Sequence, residues 1–269
     1  MTSTTRRPVR LVHTSDVHLG AYDGQRSDNY RRGELEDGFR RVIDLALEEQ
    51  ADMLVIAGDF FDNARVMEET LHFAAGEIAR FGRTTVIGPG NHDHVGPGSV
   101  YDRVDLTERA PNLRILRTPK GERIAFPELD LEVWGTSHTE RDAHYRPFEG
   151  APGRGEAPWQ IGIGHGHFLG PNALLHGSFH IKAEHLEATG LDYIALGHWE
   201  RLTRVEAGEG VTAAYSGAPD ALSGTRLGNG GHVLVVDLQE DGTVRLEAVP
   251  LGEGPRIAHD DLPYVAAME

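Results

Sequence analysis

Five short stretches of the chain bring metal-ligand side chains together: Asp16-Val17-His18, Gly58-Asp59, Gly90-Asn91-His92-Asp93, His165-Gly166-His167 and Gly197-His198-Trp199-Glu200. A mixture of carboxylate, imidazole and amide suits hard or borderline divalent cations such as Mn²⁺, Fe²⁺, Zn²⁺ or Mg²⁺. Asp16, His18, Asp59, Asn91, His165, His198 and Glu200 make seven candidate ligands. That exceeds what one small ion needs and fits two, with Asp59 the natural bridge. Two cations roughly 3.5–4 Å apart form a clamp for in-line displacement at phosphorus, one lowering the pKa of a water while both hold phosphoryl oxygens. His92, next to Asn91, is then placed for proton transfer, with Asp93 orienting its imidazole.

Each stretch alone has a plainer explanation. Asp16 and His18 could form an ordinary strand-end turn, and Asp59 could cap the helix that follows it. Gly90 and Asn91 suit left-handed turns without any chemistry, and His165 in a glycine-rich turn could be a loop histidine. Position argues against coincidence, because all five stretches end apolar runs that read as β-strands. Residues 9–14 lead to Asp16 and His18, which in an extended segment would share a face. Residues 53–57 form a continuous apolar run of the kind buried in a parallel sheet, and lead to Asp59. Residues 84–88 lead to Asn91, 160–164 to His165 and 193–196 to His198. Helices over 33–50 and 67–81 link the first three strands. Leu35, Phe39, Val42 and Ala46 share one face of the first, and Met67, Leu71, Ala74, Ile78 and Phe81 one face of the second. This alternation predicts a parallel core with its ligands at the carboxyl ends of the strands.

The second half reads as more β-rich. Short strands are expected at 113–116, 123–126 and 131–134, then a long surface loop at 137–159 and a short helix at 181–189. Antiparallel strands at 211–216, 232–238 and 243–249 follow, with a hairpin at Glu240-Asp241-Gly242. There is no internal repeat. The expected organisation is a flexible lead-in at 1–8, one domain over 9–250 and a tail at 251–269 without clear periodicity.

Bulk properties narrow the setting. The 269 residues contain no cysteine, which excludes disulfides, cysteine-based zinc sites and a cysteine nucleophile. No apolar run approaches the roughly 18 residues of a membrane span. The polar, basic start of the chain lacks a signal peptide's apolar stretch, so a cytoplasmic protein is expected. The formal net charge of −16 argues against a broad basic surface for nucleic acid. Acidic groups that hold divalent cations account for part of that excess, and bound metals would reverse the local sign.

Taken together, these stretches resemble the five motifs of the calcineurin-like metallophosphoesterases. More narrowly, His13-Thr14-Ser15-Asp16-Val17-His18-Leu19-Gly20 and Asp192-Tyr193-Ile194-Ala195-Leu196-Gly197-His198 are similar to the SbcD-type DNA repair exonucleases. Tyr215-Ser216-Gly217-Ala218-Pro219 and the strand over 231–237 extend the likeness to about residue 250. The resemblance implies an α/β fold, a four-layer α/β/β/α sandwich of two mixed sheets flanked by helices. It implies two divalent metal ions, usually Mn²⁺, with Asp16 and His18 on one, Asp59 bridging, and Asn91, His165 and His198 on the second. His165 is assigned over His167 because it sits directly at the strand end. His92 would protonate the leaving oxygen. The implied activity is phosphodiester hydrolysis by metal-activated water on DNA ends or single strands, without a covalent enzyme intermediate. A homodimer or a coiled-coil ATPase partner is implied by the resemblance alone.

Two departures stand out. The family closes its last motif as Gly-His-X-His, whereas here Trp199 is followed by Glu200. Its carboxylate would either ligate and favour Mn²⁺ or Mg²⁺ over zinc, the preferred reading, or stand as a solvated or structural substitute beside a weakly held first metal. Relatives of the repair branch also carry a capping domain for which 269 residues leave no room. With the acidic charge, this makes small phosphoesters an alternative substrate class, and a weakly active partner subunit a third reading. Arg26, Arg31, Arg32 and Arg226 are candidate phosphate contacts, or simply solvated loop arginines.

Overall fold

Strands β1 (Val9–Thr14), β2 (Met53–Ala57), β3 (Thr84–Gly88) and β4 (Leu113–Ile115) lie side by side and parallel, joined by α1 (Asn29–Glu48), α2 (Glu68–Phe81) and the short α3 (Leu106–Arg109). The computed structural model describes residues 6–21, 29–139, 144–170, 179–219 and 231–267, with the side chains of 29–32 outside that description. Successive strand residues face opposite layers. Val12, Leu54, Ile56 and Ile87 pack under Phe39, Ile43, Leu71 and Ile78 of the helices, while Leu11, Met53, Val55 and Val86 face a second sheet. Burial on both faces is why these runs read as continuously apolar rather than alternating. Each such side chain contributes roughly 1.5–3 kcal/mol by leaving water. Helix α2 begins with Glu68 and Glu69 and carries Arg80 in its last turn, matching the helix dipole at both ends. It stops at Gly82, in left-handed conformation, whose N–H bonds to Ile78 O.

The remaining elements are β5 (Glu122–Phe126), β6 (Leu131–Gly135), β7 (Trp159–His165), the small pair β8 (His167–Phe168) and β9 (His180–Ile181), and α4 (Ala183–Thr189). They continue with β10 (Tyr193–Gly197), β11 (Thr203–Val205), β12 (Thr212–Tyr215), β13 (His232–Leu238), β14 (Val244–Pro250), β15 (Ile257–Ala258) and β16 (Tyr264–Val265). One seven-stranded sheet has the order β15-β14-β13-β1-β2-β3-β4, and the other β16-β11-β12-β10-β7-β6-β5. Both are mixed, and their inner faces form one core: Leu131, Val133, Ile161, Ile163 and Tyr193 meet Leu11, Met53, Val55 and Val86. On the outer face of the second sheet, Leu186 of α4 packs with Ile194, Leu196, Ala213 and Tyr215. The four-layer α/β/β/α order expected from the motifs is present, with the second helical layer reduced, among the described residues, to the seven residues of α4.

Three details differ from the sequence reading. β12 runs parallel to β10 and antiparallel only to β11. Residues after 250, which show no periodicity, add a two-residue edge strand to each sheet, β15 beside β14 and β16 beside β11. The expected surface loop at 137–159 begins in the interior, where Ser137 and His138 are buried. Among the described residues no helix is long and apolar enough to cross a membrane.

Candidate active site

The ligand-bearing turns sit where the two sheets converge. Beyond β1 and β2 the chains keep pairing: Asp16 N–H donates to Gly58 O (3.0 Å), His18 N–H to Asp59 O (2.9 Å) and Leu19 N–H to Phe60 O (2.9 Å). The extended geometry expected for Asp16 and His18 is not what brings their side chains together. Asp16 (φ 53°), His18 (φ 51°), Asp59 (φ 49°) and His198 (φ 99°) all have positive φ. A non-glycine residue in that region costs on the order of 1–3 kcal/mol and persists where its surroundings impose it, commonly at functional sites. Two glycines permit the convergence. At Gly58 (φ 86°) a Cβ would lie 2.1 Å from His165 Nδ1, and at Gly197 it would lie 1.7 Å from Ala57 O on the facing sheet.

Two sets of potential ligand atoms converge, each with its members within 4.8 Å of one another: Asp16, His18 and Asp59, and Asp59, His165 and His198. Asp59 belongs to both, the position a bridging carboxylate needs. His165 donates Nδ1–H to Ala57 O (3.0 Å), which turns its Nε2 toward Asp59 Oδ2 at 3.1 Å. Two lone-pair-bearing atoms this close need a proton or a cation between them. The buried Asn91 Oδ1 has no hydrogen-bond partner among the described residues. His18 shows the ordering expected of a metal-ligating histidine, with Nδ1–H directed to Asp62 Oδ1 (3.2 Å) and Nε2 facing Asp59 Oδ2 (3.8 Å). The residues therefore fit a pair of divalent cations.

The electrostatics describe the same site. Burial disfavours protonation of His165, yet Asp59 and Asp16 outweigh it and raise its pKa to about 9. Burial and then His165 lower His198 to about 3. His18 is raised: burial opposes this, but Asp62, Asp59 and Asp16 prevail. Of the two central carboxylates, Asp16 is pushed up, by burial first and also by Asp59. Asp59 is held well below the usual range by His165, against its own burial. Adjacent carboxylates cannot both ionise freely without nearby positive charge.

The expected role of Asp93 needs correction. Its carboxylate does not orient the His92 imidazole; it accepts from the backbone N–H groups of Gly90 (2.7 Å), Asp59 (3.2 Å), Phe60 (2.9 Å) and Phe61 (3.3 Å), and from Tyr101 OH (2.5 Å). Asp93 thus ties the Asn91 turn to the Asp59 turn. His92 is held instead by Asp62, whose carbonyl accepts Nδ1–H at 2.8 Å. Asp62 lies three residues beyond Asp59 and is not among the expected site residues. Here it serves both His18 and His92, and the three form a further convergent group.

Glu200 stands apart from the convergent groups. It is half-buried, and burial followed by the Asp16 charge raises its pKa. Among the described residues its carboxylate has no hydrogen-bond or ion-pair partner. His167 points elsewhere, accepting Trp199 Nε1–H at Nδ1 (2.9 Å), so of the two histidines at this turn His165 is the one that reaches the cluster. Arg26 and Arg226, and the side chains of Arg31 and Arg32, lie outside the described residues.

A two-sheet α/β sandwich with carboxylates and imidazoles converging at its strand ends is the framework of a metal-dependent phosphoesterase. Residues 9–200 match the model of the calcineurin-like phosphoesterases, and the chain belongs to that family, whose members use a dinuclear metal site. It is 32% identical over 240 residues to the DNA double-strand break repair protein Mre11 of Methanopyrus kandleri, covering 80% of this chain and 49% of that one. The SbcD component of the SbcCD nuclease of Bacillus subtilis is 28% identical over 284 residues, covering 91% and 70%. These relatives fit the SbcD-type branch, although the chain spans only about half the length of the Mre11 relative. Among solved structures, TT1561 of Thermus thermophilus superposes with a TM-score of 0.59 over 91% of this chain and 99% of that one, at 12% identity, a likeness of fold alone.

Proposed function

We propose that this phosphoesterase cleaves phosphodiester bonds in DNA, at ends or in single strands, with two Mn²⁺ ions in the cluster centred on Asp59. The observation that carries the reading is the convergence of Asp16, His18, Asp59, His165 and His198 from both sheets. The DNA substrate is supported by the names of the relatives. Asp16, His18 and Glu200 would hold one cation, Asn91, His165 and His198 the other, and Asp59 both. Mn²⁺ is proposed from the family resemblance, and oxygen and imidazole donors without thiolate are compatible with it. When bound, the cations supply positive charge at the phosphoryl oxygens and lower the pKa of water.

The protein's own groups do the rest. With Nδ1–H engaged by Asp62 O, His92 keeps Nε2 for protonating the leaving oxygen. Asp62 fixes His18 and His92 together, and Asp93 fixes the turn that carries Asn91 and His92. A coiled-coil ATPase or a second copy of the chain as partner, and a cytoplasmic setting, belong to the same proposal.

A second reading, a phosphodiesterase for small substrates, is favoured by the net charge of −16, which opposes a polyanion away from the cations. The test is Mn²⁺-dependent cleavage of end-labelled single- and double-stranded DNA beside bis-p-nitrophenyl phosphate, with His92→Ala as control. Cleavage of DNA that is lost in the variant is the expected result. Turnover of the small diester alone moves the substrate to the second reading, and no turnover of either sinks both.

A further inference from the structure

Behind the two imidazoles that share Asp59 lies a closed ring of four side chains. His165 and His198 meet edge to face (centroids 5.2 Å, 74°), His198 meets Phe179 (5.8 Å, 82°), Phe179 meets His138 (4.6 Å, 86°), and His138 returns to His165 (5.7 Å, 82°). Every contact is near-perpendicular, the arrangement aromatic quadrupoles favour. His138 is 1% exposed and Phe179 6%.

His138 does more than fill space. Its Nε2–H donates to the backbone carbonyl of His165 (2.8 Å), while its own carbonyl accepts from Val95 N–H (2.7 Å), just past the turn that carries Asn91 and His92. One residue at the end of β6 therefore anchors the His165 turn of its own sheet and the Asn91 turn of the other. Because a carbonyl can only accept, His138 Nε2 carries the hydrogen and is a donor fixed by its bond to His165 O. Phe179 occupies φ 60°, a left-handed conformation unusual for an aromatic residue. Backbone held there by its surroundings is the kind of strain that collects at functional sites.

We propose that His138 and Phe179 are positioning residues: a clamp that fixes the ring orientations of His165 and His198 and so sets the affinity of the cation site these share with Asp59. The inference rests on the metal-centre reading above. Residues behind metal ligands typically alter metal affinity by about 10–100-fold when removed.

The test is isothermal titration of the metal-stripped protein with Mn²⁺ alone, with Mn²⁺ electron paramagnetic resonance and metal-free thermal unfolding in parallel. His138→Ala should weaken the tighter Mn²⁺ step by at least about tenfold. His138→Phe, which keeps the ring but loses the N–H to His165 O, and Phe179→Leu, which keeps bulk but loses the ring edge, should each weaken it several-fold and broaden the bound-Mn²⁺ spectrum. If His138→Ala fails to fold, His138→Phe and Phe179→Leu decide. Parent-like Mn²⁺ affinity and spectrum in the folded variants would overturn the clamp. Absence of Mn²⁺ binding in the parent protein would instead overturn the metal-centre reading.

Discussion

On one side of Asp59, the imidazoles of buried His165 and half-buried His198 pack against the rings of His138 and Phe179. On the other side, Asp16 and His18 are themselves buried, the His18 ring meets His92, whose side chain is 33% exposed, and Glu200 stands off without a partner among the described residues. The first half is built by ring packing between elements of the second sheet. The second is built by hydrogen bonds from loops: Ser15 Oγ–H and His198 N–H on Asp16, and Asp62 on His18. A packed half resists reorganisation because its rings have nowhere else to go. A half held by hydrogen bonds from loops, with the part-exposed His92 beside it, can adjust to a cation and to a substrate. The difference suggests a division of labour, with one cation held firmly and the other exchangeable next to the proton donor His92.

The largest effect expected is from His92→Ala, which lies beside His18 and holds no cation in this scheme. Turnover should fall by about 10²–10⁴-fold while both Mn²⁺ binding steps remain. Steady-state kinetics with titration calorimetry checks this, and loss of a binding step would mean that His92 is a ligand rather than an acid. Asp62→Ala comes next. Because Asp62 orients His18 and His92 together, the weaker Mn²⁺ step should lose about 10–100-fold in affinity, with turnover falling at saturating metal as well. A change confined to the tighter step would reverse the assignment of the halves.

Acidity reaches both halves, since His165 and His18 are both raised, His165 the more clearly. Without metal, His165 is raised to about 9 against an ordinary value of 6.5. A histidine raised on folding contributes stability that is complete below its unfolded pKa and lost as pH rises through the folded value. Metal-free protein should therefore lose stability between about pH 6.5 and 9, by up to ~1.4 kcal/mol per pH unit. Mn²⁺ displaces the proton, so saturating Mn²⁺ should abolish that loss. Thermal unfolding from pH 6 to 10, with and without Mn²⁺, checks this; the same slope in His165→Gln protein would show that another group is responsible.

Much of this organisation is legible in the sequence, and the parts that are not share a cause. The parallel half of the first sheet announces itself because both faces of β2 and β3 are buried and the linking helices carry their apolar residues at helical spacing. The motif residues Asp59, Asn91 and His165 can be read because each ends such a run. Contacts made by residues with no local pattern are illegible. β15 and β16 are two residues each and exist only by pairing with strands already in place. His138 opens a stretch rich in glycine, proline and charge, and becomes interior only because β6 delivers it between the sheets. Adjacency makes Asp93 look like the partner of His92; the turn sends its carboxylate to backbone N–H groups, and Asp62, thirty positions earlier in the chain, takes the role. Sequence adjacency misleads there because side chains on a tight turn diverge.

The smallest effect separates the halves most finely. Glu200 carries a charge that feels Asp16 without joining any convergent group. If it is the last donor to the Asp16–His18 cation, Glu200→Gln removes one negative charge at the margin of that half and nothing from the ring-packed one. The weaker Mn²⁺ step should then lose a few-fold in affinity, about 1 kcal/mol for one charge acting through a partly solvated path, while the tighter step stays fixed. Glu200→His should instead favour Zn²⁺ over Mn²⁺ at the weaker step, since imidazole is the softer donor. Titration of both variants with each metal reads both effects. If neither variant moves the weaker step, Glu200 is no ligand, and the Asp16–His18 half is completed by water and substrate oxygens, which would make that cation the one most dependent on substrate for its retention.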